Sequence, residues 1–331
     1  MTKNIPWHPK EIFYSQTDKS ARISIIHKSK CFDLPLSHTF FHQSPSSLQT
    51  YNSLMDSLCS DDDLADAAEE DLRHWAISPF LPFLDGIPPS LDRTPLTLHE
   101  YRHPDTYRLL LCVENEKREP RFDYRVPGQL RPEGVDVGDF IFCSGWGIYS
   151  PEDIEIKTPS RDKGLASVPS RVCVGDTVCF FKPVEYTDKR ATLREMTIYK
   201  KLETGGISSR VRVPRLIGLV LHENGDLVIG LLLTLVECNY KSLECVVRPE
   251  TPSALRMKWD AQVTDAVSCL HEAGIIWGDV KAANALIDDC GDAWVVDFGG
   301  GYTRGWVSKE NMETVKGDLE GLSRIKEFVY R

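Results

Sequence analysis

The sequence has no Cys-x-x-Cys pair and no Asn-x-Ser/Thr tripeptide, and its ten cysteines are scattered. Those absences argue against a zinc ribbon, a redox dithiol or a secreted disulfide framework. A reducing, intracellular setting, cytoplasmic or nuclear, is therefore expected. Excess positive charge is also missing. The net charge is −10, with lysines and arginines interspersed among acids, so neither nucleic acid nor an anionic membrane is an expected partner. The longest apolar run, residues 227–236, is too short to cross a bilayer and contains a glycine. It reads as a buried strand. The first residues carry no hydrophobic signal core, and there is no internal repeat. His8, His27, His38, His42 and His74 lack the spacing of metal ligands.

What is present is an ordinary globular composition, 41% hydrophobic and 27% charged over 331 residues, which is room for two domains. Residues 1–60 show weak periodicity and suggest loose strands and turns. The acidic start of 60–77 predicts a helix capped by Ser60, and 106–115 reads as a strand. The Pro-, Gly- and Asp-rich passage 127–151 reads as a linker between a domain at 1–126 and another at 152–331. Beyond it, "DIEI", "SRVCV" and "TVCFFKPV" predict short strands, the last two joined at Gly175-Asp176. A helix is expected at 187–206, with Leu193, Met196, Tyr199 and Leu202 on one side. A second hairpin should turn at Asn224-Gly225. The strongest helix is 251–274, with Leu255, Trp259, Val263, Val267 and Leu270 aligned. Strands with one helix, followed by a mainly helical part, make the fold class α+β.

The chemistry concentrates in "HEAGIIWGDVKAANALIDDCGDAWVVDFGGG", residues 271–301. Asp279 is followed at +2 by Lys281 and at +5 by Asn284, and eighteen residues on stands Asp297. Phosphoryl transfer needs a carboxylate to orient the attacking hydroxyl, oxygen ligands for Mg2+, and positive charge over the phosphates. Asp279 fits the base and Lys281 the neutralising charge. Asn284 and Asp297 fit the metal ligands, since a hard cation takes oxygens.

Residues 152–321 resemble a protein-kinase domain. "WGDVKAANALID", "DAWVVDFGGGYTRGWV" and "GDLEGL" resemble the kinase-like proteins of filamentous fungi. The resemblance implies a two-lobe fold with an additional N-terminal domain, the lobes lying at about 152–236 and 240–331. It implies ATP and Mg2+ as cofactors and a protein or small-molecule acceptor. Lys182 would hold phosphates and Glu195 would pair with it. Leu235 and Glu237 would line the adenine hinge, and Asp318 would brace the catalytic loop.

Four departures stand against that pattern. Only Gly164 occupies the loop where the family carries several glycines over the phosphates. Phe180 shares a strand face with Lys182, where a small residue is usual. Trp277-Gly278 replaces His-Arg, and the missing arginine implies no phosphorylation switch. After Asp297 come 34 residues, with no Ala-Pro-Glu and without the helices that dock peptides. The expected function is an ATP- and Mg2+-dependent phosphotransferase of the serine/threonine-kinase type. The alternative is a pseudokinase acting as a binding or scaffold protein.

Overall fold

The computed structural model describes residues 7–58, 62–90, 94–114, 117–125, 134–207 and 210–331. Two compact units emerge from its contacts, Met1–Leu130 with Glu155–Pro169, and Arg131–Ile154 with Ser170–Arg331. Ser60 and the start of the 127–151 passage lie outside the described residues.

In the first unit β1 (His8–Ser15), β2 (Ser20–His27) and β3 (Lys30–Ser37) form an antiparallel meander. Helices α1 (Pro45–Ser57), α2 (Asp62–Ile77), α3 (Leu81–Gly86) and α4 (Leu98–Arg102) follow. Then β4 (Thr106–Glu114) joins parallel to β3, and β5 (Lys117–Arg125) closes the order β1-β2-β3-β4-β5. Ile23 and Ile25, Leu34 and Leu36, Leu109 and Leu111 recur at period two and are buried in one core.

The described part of residues 1–60 is thus regular, three strands followed by α1, rather than loose strands and turns. The strands' alternation is hidden because the opposite face is covered too. Asp33 is buried and takes hydrogen bonds from Arg22 at 2.6 Å and Ser24 at 3.2 Å, while His27 Nε2 lies 2.8 Å from the Leu84 carbonyl. Buried polar residues with partners read in a sequence as surface.

The chain next forms β6 (Gly147–Tyr149), then β7 (Ile154–Ile156), where the units divide, and α5 (Arg161–Ala166) of the first unit. Asp162 fixes α5 by accepting the Lys28 and Ser29 backbone N–H groups at 2.8 and 2.7 Å.

In the second unit β8 (Arg171–Val174) and β9 (Thr177–Pro183) are a hairpin turned at Gly175, φ +56°. Helix α6 (Lys189–Thr204) follows, then the hairpin β10 (Leu216–Leu221) and β11 (Val228–Thr234), with Gly225 at φ +78° in its turn. The strands lie in the order β6-β10-β11-β9-β8. Helix α7 (Leu243–Val246), α8 (Ser253–Glu272), the small hairpin β12 (Ala285–Ile287) and β13 (Ala293–Val295), and α9 (Val315–Val329) complete it. Trp259, Val263, Val267 and Leu270 of α8 are buried as their spacing predicts, but Leu255, one turn earlier, is 36% exposed. Residues 134–149 belong to this unit: Val135 and Val228 exchange both backbone hydrogen bonds at 2.9 Å, and Trp146 is buried in its core.

Candidate active site

Strand β9 buries Phe181 and turns Phe180 and Lys182 the other way. Gly230 of β11 permits this, since a Cβ there would lie 2.1 Å from the Phe181 ring. Helix α6 buries a face that includes Met196, Tyr199 and Leu202, and it carries Glu195 inward with them, 3% exposed. A buried carboxylate demands a charged partner. Lys182 Nζ supplies it at 2.7 Å from Glu195, and the same ammonium reaches Asp297 at 2.8 Å.

Asp279 follows the turn that ends α8 at Gly274, φ +67°. Trp277 has no exposed surface, and its indole N–H donates to the Val296 carbonyl at 2.9 Å. The Asp318 carboxylate, in the first turn of α9, accepts the backbone N–H groups of Trp277 and Gly278, each at 2.8 Å. His271 Nε2 lies 2.8 Å from the same carboxylate. Packing by Trp277 and bonding to Asp318 therefore fix the loop that leads into Asp279. The β12–β13 hairpin then returns the chain so that Val296 N–H donates to the Asn284 carbonyl at 3.0 Å, which sets Asp297 beside the loop. Asp297 holds φ +65°, an uncommon conformation for a residue with a side chain.

Asp279, 7% exposed, is held from three directions. Lys281 Nζ and Asn284 Nδ2 donate to Oδ2 at 2.7 and 2.9 Å. The Thr303 hydroxyl donates to Oδ1 at 3.1 Å and accepts from Lys281 at 3.1 Å. Because the Asn284 amide nitrogen is committed to Asp279, its oxygen is the atom offered to a cation. That oxygen and the Asp297 carboxylate are oxygens of the kind a hard cation such as Mg2+ takes.

The charges are coupled. Burial pulls the Lys182 ammonium down, but Glu195 and Asp297 outweigh it and hold it above its ordinary value. Burial pushes the Asp297 carboxyl up, yet the Lys182 charge and hydrogen bond leave it below the usual carboxylate range. Glu195 lies deeper, so burial wins and its carboxyl is raised in spite of Lys182. Two lysines against three carboxylates leave this cluster one charge negative.

Of the residues singled out in the sequence, the structure joins Lys182, Glu195 and Asp297 by ion pairs and Asp279, Lys281 and Asn284 by hydrogen bonds, with the Lys281 charge acting on Asp297. Leu235 and Glu237 follow β11. Leu235 is half-buried, and exposed Glu237 makes a two-pronged ion pair with Arg171 at 2.6 and 2.7 Å. The Glu237 carbonyl accepts from Asp289 N–H at 2.8 Å. Gly164 is placed elsewhere. It lies in α5 of the first unit, where a Cβ would come within 2.7 Å of Leu96 and 2.8 Å of Thr158, so its bare α-carbon serves helix packing. Sequence reasoning missed Thr303 and Arg194. Neither belongs to a periodic pattern; only their spacing from Asp297 and Glu195 marked them.

No family model matches the chain. Over 132 residues it is 33% identical to the mouse testis-specific serine/threonine-protein kinase 5, covering 40% of this chain and 31% of that protein. The chain spans about a third of that relative's length. The similarity is to a serine/threonine kinase and supports a kinase-like relationship. Among the described residues no helix is long and apolar enough to cross a membrane.

Proposed function

We propose that the protein is an ATP- and Mg2+-dependent phosphotransferase of the serine/threonine-kinase type, related to the kinase-like proteins of filamentous fungi. The observation that carries this reading is the joint geometry of one site: Lys182 paired with both Glu195 and Asp297, and Asp279 oriented by Lys281, Asn284 and Thr303. Asp279 Oδ1 has one hydrogen-bond donor and so keeps a lone pair for an acceptor hydroxyl. In this reading it orients that hydroxyl and takes its proton as the oxygen attacks the terminal phosphorus. Lys281 faces the charge that develops on the transferred group. Asn284 and Asp297 would hold Mg2+, which supplies charge neutralisation across the phosphates when bound. Lys182 would hold phosphate oxygens, and Leu235 and Glu237 would offer backbone to the adenine. The kinase-like portion is the second unit, with lobes meeting near residues 236–240, and the acceptor is a protein or small-molecule hydroxyl. The unpaired thiols of the nine described cysteines favour an intracellular setting, cytoplasmic or nuclear.

A second reading, a nucleotide-binding pseudokinase, is favoured by Phe180. It is 36% exposed on the Lys182 face, where a base would lie. Transfer of labelled phosphate from Mg2+-ATP, to the protein itself and to generic acceptors, separates the two. The wild type should transfer label and Asp279→Ala should lose at least about a hundredfold. Nucleotide binding without Asp279-dependent transfer would establish the pseudokinase instead.

A further inference from the structure

Beside Glu195 on α6 stands Arg194, which the phosphotransfer chemistry does not use. Its guanidinium turns toward the loop before Asp279. Nη1 donates to the Trp277 carbonyl at 3.1 Å and to the Phe298 carbonyl, and Nη2 donates to the Ile276 carbonyl at 2.8 Å. One side chain thus ties α6 to the segment entering Asp279 and to the residue following Asp297.

Gly278 makes the seat. It holds φ +87°, and a Cβ there would lie 2.3 Å from the Arg194 guanidinium. Gly300, φ +79°, leaves room for the arginine stem, 3.2 Å from where its own Cβ would be. A planar fork spreads several donors in fixed directions over the carbonyls of two segments, whereas a lysine brings its three donors on one compact, freely turning ammonium. The segment after Asp297 is pinned by other ties as well: Thr303 to Asp279 and Lys281, Arg190 to Glu313, and Ser308 and Asn311 to Glu320.

We propose that Arg194 is a positioning residue. It locks α6 against the catalytic loop and so keeps Glu195, Lys182 and Asp297 assembled with no modification of the segment after Asp297. This rests on the phosphotransferase reading for its consequence in catalysis, but the lock itself is a property of the fold.

The test measures amide hydrogen exchange in the full chain for wild type, Arg194→Met, Arg194→Lys and Gly278→Ala. Arg194→Met removes the donors, whereas Gly278→Ala keeps the arginine and fills its seat. Both should speed exchange across Lys189–Thr204 and around Trp277 at least tenfold, while β1–β5 stay at the wild-type rate. In the same proteins the KM for Mg2+-ATP should rise about tenfold with a smaller fall in kcat, and Arg194→Lys should recover only part. Unchanged exchange in α6 in both Arg194→Met and Gly278→Ala overturns the proposal. So does full recovery by Arg194→Lys, which would make a single charge sufficient. A wild type that transfers no phosphate defeats the phosphotransferase reading and leaves the exchange result to decide the lock.

Discussion

Thr303 shows what one hydroxyl does when two charged groups in contact must be aligned. It gives its proton to Asp279 Oδ1 and takes one from Lys281, so the carboxylate and the ammonium are each fixed by a group that titrates with neither. Removing it leaves Asp279 held on one oxygen only and leaves Lys281 with Asp279 as its one remaining partner of the two. Thr303→Val keeps the shape and deletes the hydroxyl, so kcat should fall about ten- to a hundredfold with little change in the KM for ATP. Thr303→Ser should recover most of the loss. Steady-state kinetics on the three proteins decide it; an equal loss in valine and serine variants would assign the position to packing. Gly230 is the contrasting case, a residue whose contribution is the space it leaves for Phe181.

At the scale of elements, the tie between β9 and α6 makes stability depend on pH in a definite direction. Lys182 titrates above its ordinary 10.5 in the folded state, so its contribution is full below that value and is lost as pH rises through the raised one. Asp297 titrates below its ordinary 3.8, so its contribution is full above that value and is lost as pH falls through the lowered one. Glu195, raised by burial, runs the other way and is least costly when protonated. The stability gap between wild type and Lys182→Met should therefore be widest from about pH 5 to 10, and should narrow toward both extremes. At neutral pH the gap should be about 2 kcal/mol, less than for a fully buried pair because Lys182 keeps some solvent contact. Urea midpoints across that range measure it, and a gap that widens above pH 11 would contradict it. Lys182 and Glu195 were expected as a pair from the resemblance, which sets them on a strand and the following helix, thirteen residues apart. The bond from Lys182 to Asp297 was not, because a contact across 115 residues leaves no local period. Trp277 was legible as an oddity, and its packing became a brace only once Val296 and Asp318 were in place around it.

At the scale of the whole molecule, the chain path differs from the order that composition suggests. Turn-forming residues made 127–151 read as a linker and 152–331 as the following domain, yet prolines and glycines mark irregular backbone, whether it is free or packed. The described part, from residue 134, lends the second unit a parallel edge strand beside β10, the Val135–Val228 bridge and the buried Trp146 indole. Burial of Trp146 and Val135 contributes at most about 5 kcal/mol by area, which is comparable with the whole stability of a typical domain. Stripping it would also bare the β10 edge to pairing with other chains. A fragment of residues 152–331 should accordingly be poorly soluble or melt well below a fragment of residues 131–331. Both fragments carry 155–169 away from the first unit, so that loss is common to the two and cancels in the comparison. Thermal melts and soluble yield, measured side by side, read the difference. Equal melting temperatures would mean that 134–149 merely connects, and the composition would have been the better guide.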